Sequence, residues 1–376
     1  MNMKEPMLIN FISEINDPRI ERSKKYSLSE IIFSAFIAIL SGARSWYEIK
    51  KYAEIKLDLL RKFLPFDNGI PSHDTFNRVF RLLPTEEMEK IFIAFAKDVV
   101  GVSLEGKLIN IDGKQMRGSS KASNETIHLV TAWCSDLKIS LGQLKVDTKS
   151  NEITAIPKLI EKLDLKGAEV STDAMGTQTE IAELIHKKKG HYLLALKGNQ
   201  ETIHNEAQEL CAHYKPTSVE NEFDADRGQT YERKVEVFKA NKRVITTKDR
   251  WAGLTQIVKV STTVTKKKTK EVTEDIRYYL VNSSFDAKHY LRATRQHWSV
   301  ENDCHWQLDI TFNEDDTRKT GKAAENFSRL LRFCMNCVRT VDFSKDNKES
   351  VKTKAFILAN SEDLLMQLFY NKDKAN

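Results

Sequence analysis

The chain has 376 residues, of which 40% are hydrophobic and 30% charged, a composition typical of a globular protein with two or three hydrophobic cores. Its net charge of +6 is compatible with a polyanionic partner but is too small to establish one. The longest apolar run, residues 31–40, has half the length of a membrane span, and the N-terminus lacks the apolar core of a signal peptide. These features exclude a membrane partner at the level of sequence and predict a soluble, cytoplasmic protein.

Residues 1–102 are predicted to form an all-α N-terminal domain, because no strand pattern occurs before residue 107. Ser27 is expected to cap a helix, with Glu30 at the capping-box position three residues later. In the segment "PSHDTFNRVFR" (71–81), His73 and Asp74 are expected to cap a helix with an apolar face.

The pattern changes at residue 107 to short β-rich segments that alternate with helices. A meander of three strands is followed by "AIPKLIEKLDL" (155–165), a predicted helix with Pro157 in its first turn. The whole series consists of strands at 107–113, 125–135, 140–148, 167–174 and 191–198, with helices before the last two. The order βββαβαβ predicts a mixed α/β fold.

Residues 200–285 are predicted to be a β-rich insertion within a domain that spans 103–345. Three strand patterns follow a helix there, and the last two are joined by a turn rich in lysine. The helical pattern returns at Asp286, and residues 346–376 are expected to form a helical C-terminal tail.

Five scattered cysteines indicate a reducing compartment. Cys334 and Cys337 form a single C-x-x-C within a helical pattern. A structural zinc site usually requires a second such pair, so the pattern favours buried thiols over zinc ligands.

Two aspartates and one glutamate are candidates for a metal site. Asp112 is expected to end the strand "LINIDG", with Gly113 turning the chain away, and Asp173 repeats this arrangement in "EVSTDAMG". Carboxylates at strand ends point into the crevice above a sheet, and Mg²⁺ prefers such oxygen ligands. One aspartate alone is equally typical of a turn, but two of them, followed by Glu301 on a predicted helix, indicate a shared site.

His297, Glu301 and His305 are spaced four residues apart in "RQHWSVENDCHWQLD" (295–309), so a helix places them on one face. This spacing also suggests zinc, although the pattern supplies no further ligand and imidazole is a poor ligand for Mg²⁺. The alternative is that Trp298 and Trp306 pack in the core while the histidines line the site or contact phosphates.

Five motifs resemble those of the H-repeat-associated transposases of bacterial insertion sequences. In chain order they are "PSHDTFNRVFR" (71–81), "IDGKQMRGS" (111–119), "STDAMGTQ" (171–178), "YLLALKGNQ" (192–200) and "HWSVENDCHWQLDITFNEDDTR" (297–318). The resemblance runs over essentially the whole chain. It implies a DDE transposase of the α/β class, in which a ribonuclease H-like mixed-sheet core is interrupted by the β-rich insertion and preceded by the all-α domain.

By this resemblance Asp112, Asp173 and Glu301 form an acidic triad that binds two Mg²⁺ ions roughly 4 Å apart, with Mn²⁺ as a substitute. The implied activity is DNA cleavage at the ends of an element, followed by transfer of the 3′ end to target DNA. The implied partners are double-stranded DNA with terminal inverted repeats and further copies of the chain, in a homodimer or higher oligomer associated with the nucleoid. A catalytically silent DNA-binding descendant, a nuclease without strand transfer and a zinc hydrolase remain as alternatives.

Eight residues are candidate DNA contacts: Lys114, Arg117, Lys197, Arg227, Arg233, Arg292, Arg295 and His297. Related transposases carry an arginine four residues before the glutamate and a lysine seven after it, whereas this sequence has His297 and Leu308 there. Arg292 and Arg295 are therefore considered as replacements. Lys114 and Arg117 are equally consistent with an ordinary surface loop.

Two further features have alternative interpretations. The acidic residues Asp309, Glu314, Asp315 and Asp316 form either a solvated turn or the source of a fourth metal ligand. The helix in residues 71–81 either recognises the inverted repeats or packs through its apolar face.

Overall fold

The structure is a computed structural model, and it describes residues 7–101, 103–116, 126–146, 152–226, 228–316 and 319–370. Two of the predicted DNA contacts, Arg117 and Arg227, lie outside the described residues.

The described part of the N-terminal region is helical, in agreement with the sequence. Its helices are α1 (Met7–Ser13), α2 (Leu28–Leu40), α3 (Trp46–Ile55), α4 (Leu57–Leu60), α5 (His73–Leu82) and α6 (Thr85–Val100). The capping box at the start of α2 is confirmed, because Ser27 and Glu30 each accept a backbone hydrogen bond from the other. The predicted cap of α5 is wrong: Ser72, in an extended conformation, accepts the hydrogen bond from Thr75 N.

Nine strands form a single mixed sheet in the described chain. They are β1 (Leu108–Met116), β2 (Ile127–Cys134), β3 (Ile139–Lys145), β4 (Glu169–Thr172), β5 (His191–Leu196), β6 (Ser218–Asp226), β7 (Gln229–Lys239), β8 (Gln256–Lys266) and β9 (Val272–Val281). Their order across the sheet is β3-β2-β1-β4-β5-β9-β8-β7-β6. Strands β1, β4 and β5 are parallel neighbours and the other pairs are antiparallel, which agrees with the predicted mixed α/β class.

The strands from the 200–285 region continue the same sheet rather than forming a separate one. Strand β9 pairs with β5 from Leu193 opposite Val281 to Leu196 opposite Tyr278. Strands β8 and β9 form the hairpin whose turn carries the lysines near residues 266–270.

The remaining helices pack on the two faces of the sheet or form the C-terminal region. They are α7 (Glu152–Glu161), α8 (Thr179–Lys187), α9 (Glu201–His213), α10 (Ala287–His297), α11 (Trp306–Ile310), α12 (Gly321–Thr340), α13 (Val351–Asn360) and α14 (Glu362–Tyr370), with a π-helical segment Val300–His305 between α10 and α11. Helix α7 begins three residues before the predicted start at Ala155, so Pro157 lies inside the helix rather than in its first turn.

Alternate residues of β1 face different layers. Ile109 and Ile111 belong to a core with the buried residues of α7, α8 and α9. Asn110 instead contacts α10, and Lys114 contacts α11 and the segment that follows it. Because side chains alternate along a strand, Asp112 lies on the same face as Asn110 and Lys114.

The N-terminal helices share one hydrophobic core with α12 and α13. Phe76, Val79 and Phe80 of α5 are fully buried, and Asn326 of α12 donates to the carbonyl of Phe80 at 3.0 Å. The apolar face of α5 therefore packs inside the protein.

Cys334 and Cys337 are fully buried free thiols in α12, as predicted. Among the described helices, none is long and apolar enough to cross a membrane.

Candidate active site

Asp112 and Asp173 lie beside each other where two parallel strands separate. The pairing of β1 with β4 ends at Ile111 opposite Thr172; Asp112 is the next residue of β1, and Asp173 is the first residue after β4. Asp173 Oδ1 accepts a hydrogen bond from Gly176 N at 3.0 Å, which fixes the loop that follows β4. The parallel register thus brings the two carboxylates to one edge of the sheet.

The expected turn at Gly113 is wrong. Strand β1 continues to Met116, and Asp112 and Gly113 pair with Thr131 and Val130 of β2. Strand β1 can continue because β2 still pairs with it after β4 has ended. This pairing between separate segments is not visible in the sequence. Gly113 instead leaves space for the carboxylate of Glu152.

Glu301 lies on the π-helical segment Val300–His305, not on the continuous α-helix predicted from the sequence. Val300, Cys304 and Leu308 form the buried row of this segment, with at most 2% exposure. Glu301 is exposed beside this row, and its charge reaches Asp112 strongly enough to raise the pKa of that carboxyl. π-Helical turns often occur at functional sites because they redirect side chains.

A polar network joins the two aspartate-bearing strands to α10. Ser171 Oγ donates to Asn110 Oδ1 at 2.7 Å and lies 2.8 Å from His297 Nδ1. Asn110 Nδ2 donates to the carbonyl of Gln296 at 2.8 Å. Asn110 and Ser171 each precede an aspartate by two residues, so the network fixes the end of α10 over the face that carries Asp112.

Both histidines of the 295–309 segment lie at this site. His297 bonds Ser171, and Nδ1 of His305 is 3.7 Å from Asp112 Oδ2. Burial lowers the pKa of His297 to about 4 and that of His305 to about 3, so both rings are neutral near pH 7.

Trp298 and Trp306 are 45% and 53% exposed, so the prediction that they pack in the core is wrong. The core contacts are made by the row Val300, Cys304 and Leu308. Each tryptophan is two residues from a member of that row, which on a helix turns it to the other side.

Burial and repulsion together raise the pKa of Asp112 to about 7. Burial is the largest cause, followed by the negative charge of Asp173 and then that of Glu152, and Glu301 adds to them. Burial and the charge of Asp173 also raise the pKa of Glu152. A site that resists carrying several negative charges is suited to a cation.

Glu152, the first residue of α7, is a member of this acidic group that sequence reasoning missed. The predicted start of the helix at Ala155 left Glu152 in a loop. The apolar residues Ile153 and Ile156 continue the helical spacing upstream of Pro157, and an acidic residue is common in a first helical turn. Those two features were sufficient to extend the helix to Glu152.

Lys114 is buried and not on a surface loop. Its Nζ forms ion pairs with Asp309 and, at 2.9 Å, with Glu314. The lysine is only 9% exposed. Its charge is paired inside the protein, in place of the predicted contact with a DNA phosphate.

Glu314 contradicts the prediction of a solvated acidic turn. Its side chain is fully buried and accepts hydrogen bonds from Arg332, Ser328 and Lys114. These partners lower the pKa of Glu314 to about 2 despite the opposing effect of burial. The acidic segment after α11 therefore anchors β1 to α12.

Arg233 and Arg295 are both paired with acidic residues of β6. Their Nη1 atoms lie 3.0 and 2.6 Å from the carboxylate of Glu222, and Asp224 is within 3.8 Å of both guanidinium groups. A DNA phosphate has to compete with these carboxylates for either arginine.

Lys197 and Arg292 are exposed. Lys197 follows β5, and the neighbouring Asn199 donates to the carbonyl of Ala174 at 2.7 Å, directly after Asp173. The loop that carries Lys197 is thus held beside the loop of the second aspartate.

The described residues contain no three His, Cys, Asp or Glu side chains gathered closely enough to enclose a metal ion. Two buried polar atoms near Asp112 nevertheless have no hydrogen-bond partner within the described ranges: Thr131 Oγ1, opposite Asp112 in the ladder, and His305 Nε2. The raised pKa values of Asp112 and Glu152, together with these two orphaned atoms, fit a hydrated divalent cation.

Two family models match this chain. Residues 9–96 match the model described as DDE_Tnp_1-associated, and residues 101–337 match the one described as Transposase DDE domain. The chain belongs to the DDE transposase family. Members of this family generally use divalent metals and act on DNA, which agrees with the acidic edge of the sheet.

Relatives of known sequence support the same assignment. "Putative transposase YncI" of Escherichia coli O157:H7 is 37% identical over 357 residues, 92% of this chain and 90% of that protein. "H repeat-associated putative transposase YhhI" of Escherichia coli K12 is 36% identical over 343 residues, 89% of this chain and 90% of that protein. "Inactive transposase YbfQ" of the same strain matches over 77 residues, which are 20% of this chain and 92% of that shorter protein.

His305 makes the stability of the fold depend on pH. Its pKa is lowered from 6.5 to about 3 by burial and by the positive charges of Arg332 and Lys114, which outweigh Glu314. Because the folded-state pKa lies below the unfolded value, the unfolded chain binds the proton first. The contribution of His305 to the free energy of unfolding is therefore complete above pH 6.5 and decreases as the pH falls toward 3.

We expect His305→Asn to lose less stability on acidification than the wild type. Between pH 6.5 and pH 5 the difference should be about 2 kcal/mol, at about 1.4 kcal/mol per pH unit. Urea unfolding at the two pH values measures it, and the exposed His213→Asn serves as the control. Equal pH dependence in all three proteins contradicts a neutral, buried His305.

Proposed function

We propose that this DDE transposase cleaves DNA strands at the ends of a mobile element and joins the resulting 3′ ends to target DNA. The single observation that carries the proposal is the position of Asp112 and Asp173 on adjacent parallel strands, within the electrostatic reach of Glu301. The family model over residues 101–337 supports the same chemistry.

Asp112, Asp173 and Glu301 are the residues that would hold Mg²⁺, or Mn²⁺ in its place. When bound, such ions activate the attacking oxygen and stabilise the leaving oxygen in phosphoryl transfer. Carboxylate oxygens suit these hard cations, and the neutral histidines beside them do not compete for the ions.

The other residues of the site orient the carboxylates. Asn110 and Ser171 hold the end of α10 against β1 and β4, and this contact sets the position of the following π-helical segment. Neutral His305 lies beside Asp112, with its Nδ1 atom 3.7 Å from Asp112 Oδ2.

The proposed partner is double-stranded DNA with terminal inverted repeats, bound by a homodimer or a higher oligomer in the nucleoid of the cytoplasm. The exposed Lys197 and Arg292 are the described basic residues best suited to contact phosphates near the acidic edge. Binding of the element ends by the N-terminal helices 1–102 belongs to the same proposal.

The test is cleavage of labelled element-end DNA in Mg²⁺, Mn²⁺ or EDTA by the wild type, Asp173→Asn and Glu301→Gln. We expect nicking by the wild type with either metal, none in EDTA, and at least a hundredfold less by each variant, because each loses a charged ligand. Glu271→Gln, in the exposed turn between β8 and β9, is the matched control and should retain activity.

A precut end with a free 3′-hydroxyl, incubated with a plasmid target, tests strand transfer separately. Nicking without transfer assigns the protein as a nuclease. Binding of the ends by folded wild type, with no nicking in either metal, overturns the proposed enzyme and supports the silent DNA-binding alternative.

A further inference from the structure

We propose that Glu152 is a fourth carboxylate of this site, and that its side chain and those of Asp112 and Asp173 move closer together when they bind a divalent cation. The inference rests on the proposed function, and it adds a residue from α7 to the three that the family resemblance assigns. It stands on the packing of Glu152 against β1.

The carboxylate of Glu152 lies directly on the backbone of β1 at Gly113. A Cβ atom at Gly113 would be 2.0 Å from Glu152 Oε1 and 2.3 Å from its Cδ. Residue 113 has no positive φ angle that requires glycine. The absence of a side chain there is therefore explained by the space that the carboxylate occupies on the α7 face of β1, one residue after Asp112, whose side chain begins on the other face.

The charge of Glu152 acts on both aspartates. It contributes more than Glu301 to the raised pKa of Asp112, and the charge of Asp173 in turn raises the pKa of Glu152.

A purely structural role for Glu152 at the start of α7 predicts a different pattern. An acidic residue in the first turn of a helix interacts favourably with the helix dipole, and this interaction lowers its pKa. Burial and the charge of Asp173 instead raise the pKa of Glu152, and no lysine or arginine in the described part of the chain is paired with it. The carboxylate therefore lies near Asp173 without a paired cationic side chain from the described part of the chain.

The charge balance of the site is consistent with four carboxylates. Two divalent cations carry four positive charges, which the ionised forms of Asp112, Glu152, Asp173 and Glu301 match. Flexible carboxylates from separate elements commonly complete such oxygen shells.

Two variants test the inference from opposite directions. Glu152→Gln keeps the shape of the side chain and removes its charge. Gly113→Ala keeps Glu152 but fills the space of its carboxylate, and the displaced atoms are the far end of a flexible side chain, so the strand can accommodate the change. Glu161→Gln, exposed at the other end of α7, is the matched control.

The first measurement is Mn²⁺ binding to the full chain without DNA, by calorimetric titration, and the second is the melting temperature in EDTA. We expect both variants to bind Mn²⁺ roughly tenfold more weakly, as expected for the loss of one charged ligand, while the control binds as the wild type does. In EDTA, Glu152→Gln should melt at the same temperature as the wild type or above it, because a repulsion is removed.

Wild-type Mn²⁺ affinity in Glu152→Gln, combined with a lower melting temperature in EDTA, overturns the inference and assigns Glu152 to the stability of α7. Since wild type and Glu152→Gln are compared directly, this result leaves the proposed function intact. If the wild type binds no Mn²⁺ and does not nick DNA, the proposed function fails together with the inference. If Gly113→Ala does not fold, the result for Glu152→Gln decides.

Discussion

Asp112→Asn is expected to reduce metal-dependent nicking of element-end DNA by roughly a thousandfold, equivalent to about 4 kcal/mol of transition-state stabilisation. Asp112 is adjacent to Asp173, and the negative charges of Glu152 and Glu301 raise its pKa. It lies on β1, which contacts the other elements of the site. Asparagine retains the shape of the side chain but cannot supply a full negative charge to a cation. Binding to DNA should persist, which gel-shift titration in EDTA measures.

The same substitution should stabilise the metal-free protein at and above neutral pH. The pKa of Asp112 is raised from 3.8 to about 7 in the folded state, so between these values the folded chain binds more protons than the unfolded chain. The free energy of unfolding of the wild type therefore decreases as the pH rises through this window. The asparagine side chain does not ionise, and the variant should be more stable by about 2–4 kcal/mol above pH 7.

Urea unfolding in EDTA at pH 4.5 and pH 8 measures this difference, and it should be small at the lower pH. Asp316→Asn, in an exposed position, controls for the general loss of a negative charge. A variant that loses both stability and nicking at every pH shows that Asp112 is needed for folding, and this outcome contradicts the proposed role. The contribution of His305 to the free energy of unfolding increases with pH, whereas that of Asp112 decreases. Only the difference between a variant and the wild type therefore isolates the effect of either group.

The local fold could be predicted from sequence where short-range patterns determine the structure. Ser27 and Glu30 satisfy each other through bonds that span three residues, so their types and spacing are sufficient to predict the cap. The apolar alternation around Ile109 and Ile111 likewise identifies β1. The position of Asp173 after β4 follows from the same kind of pattern.

The parts that could not be predicted depend on contacts between distant segments. Glycine usually marks a turn, but Gly113 lies within β1 and leaves space for the carboxylate of Glu152, 39 positions along the chain. The sequence favours Trp298 and Trp306 as core residues, whereas Val300, Cys304 and Leu308 are the residues buried in the core. Which face of a helix is buried depends on what packs against it, and a single sequence does not contain that information.

The acidic segment after α11 is the strongest example of a structure that depends on contacts between distant segments. Substitution of Glu314 in this segment is expected to have a large effect on stability. Its carboxylate is fully buried between Arg332, which is also fully buried, and Lys114 of β1. Removal of one member of a buried ionic group leaves the others with uncompensated charge. We expect Glu314→Gln to lower the free energy of unfolding by about 3–5 kcal/mol at pH 7, measured by urea denaturation.

The substitution Glu314→Gln should also disturb the active site. Glu314 connects β1, which carries Asp112, to α12, and it follows the segment that carries Glu301. Asp316→Asn, in the same acidic turn but exposed, should change stability by less than about 0.5 kcal/mol. The double variant Glu314→Gln with Arg332→Met removes charges of both signs and should recover part of the stability lost in the single variant. A cost below about 1 kcal/mol for Glu314→Gln would show that the turn is solvated, as its composition suggested, and that the ionic group does not hold β1 to α12.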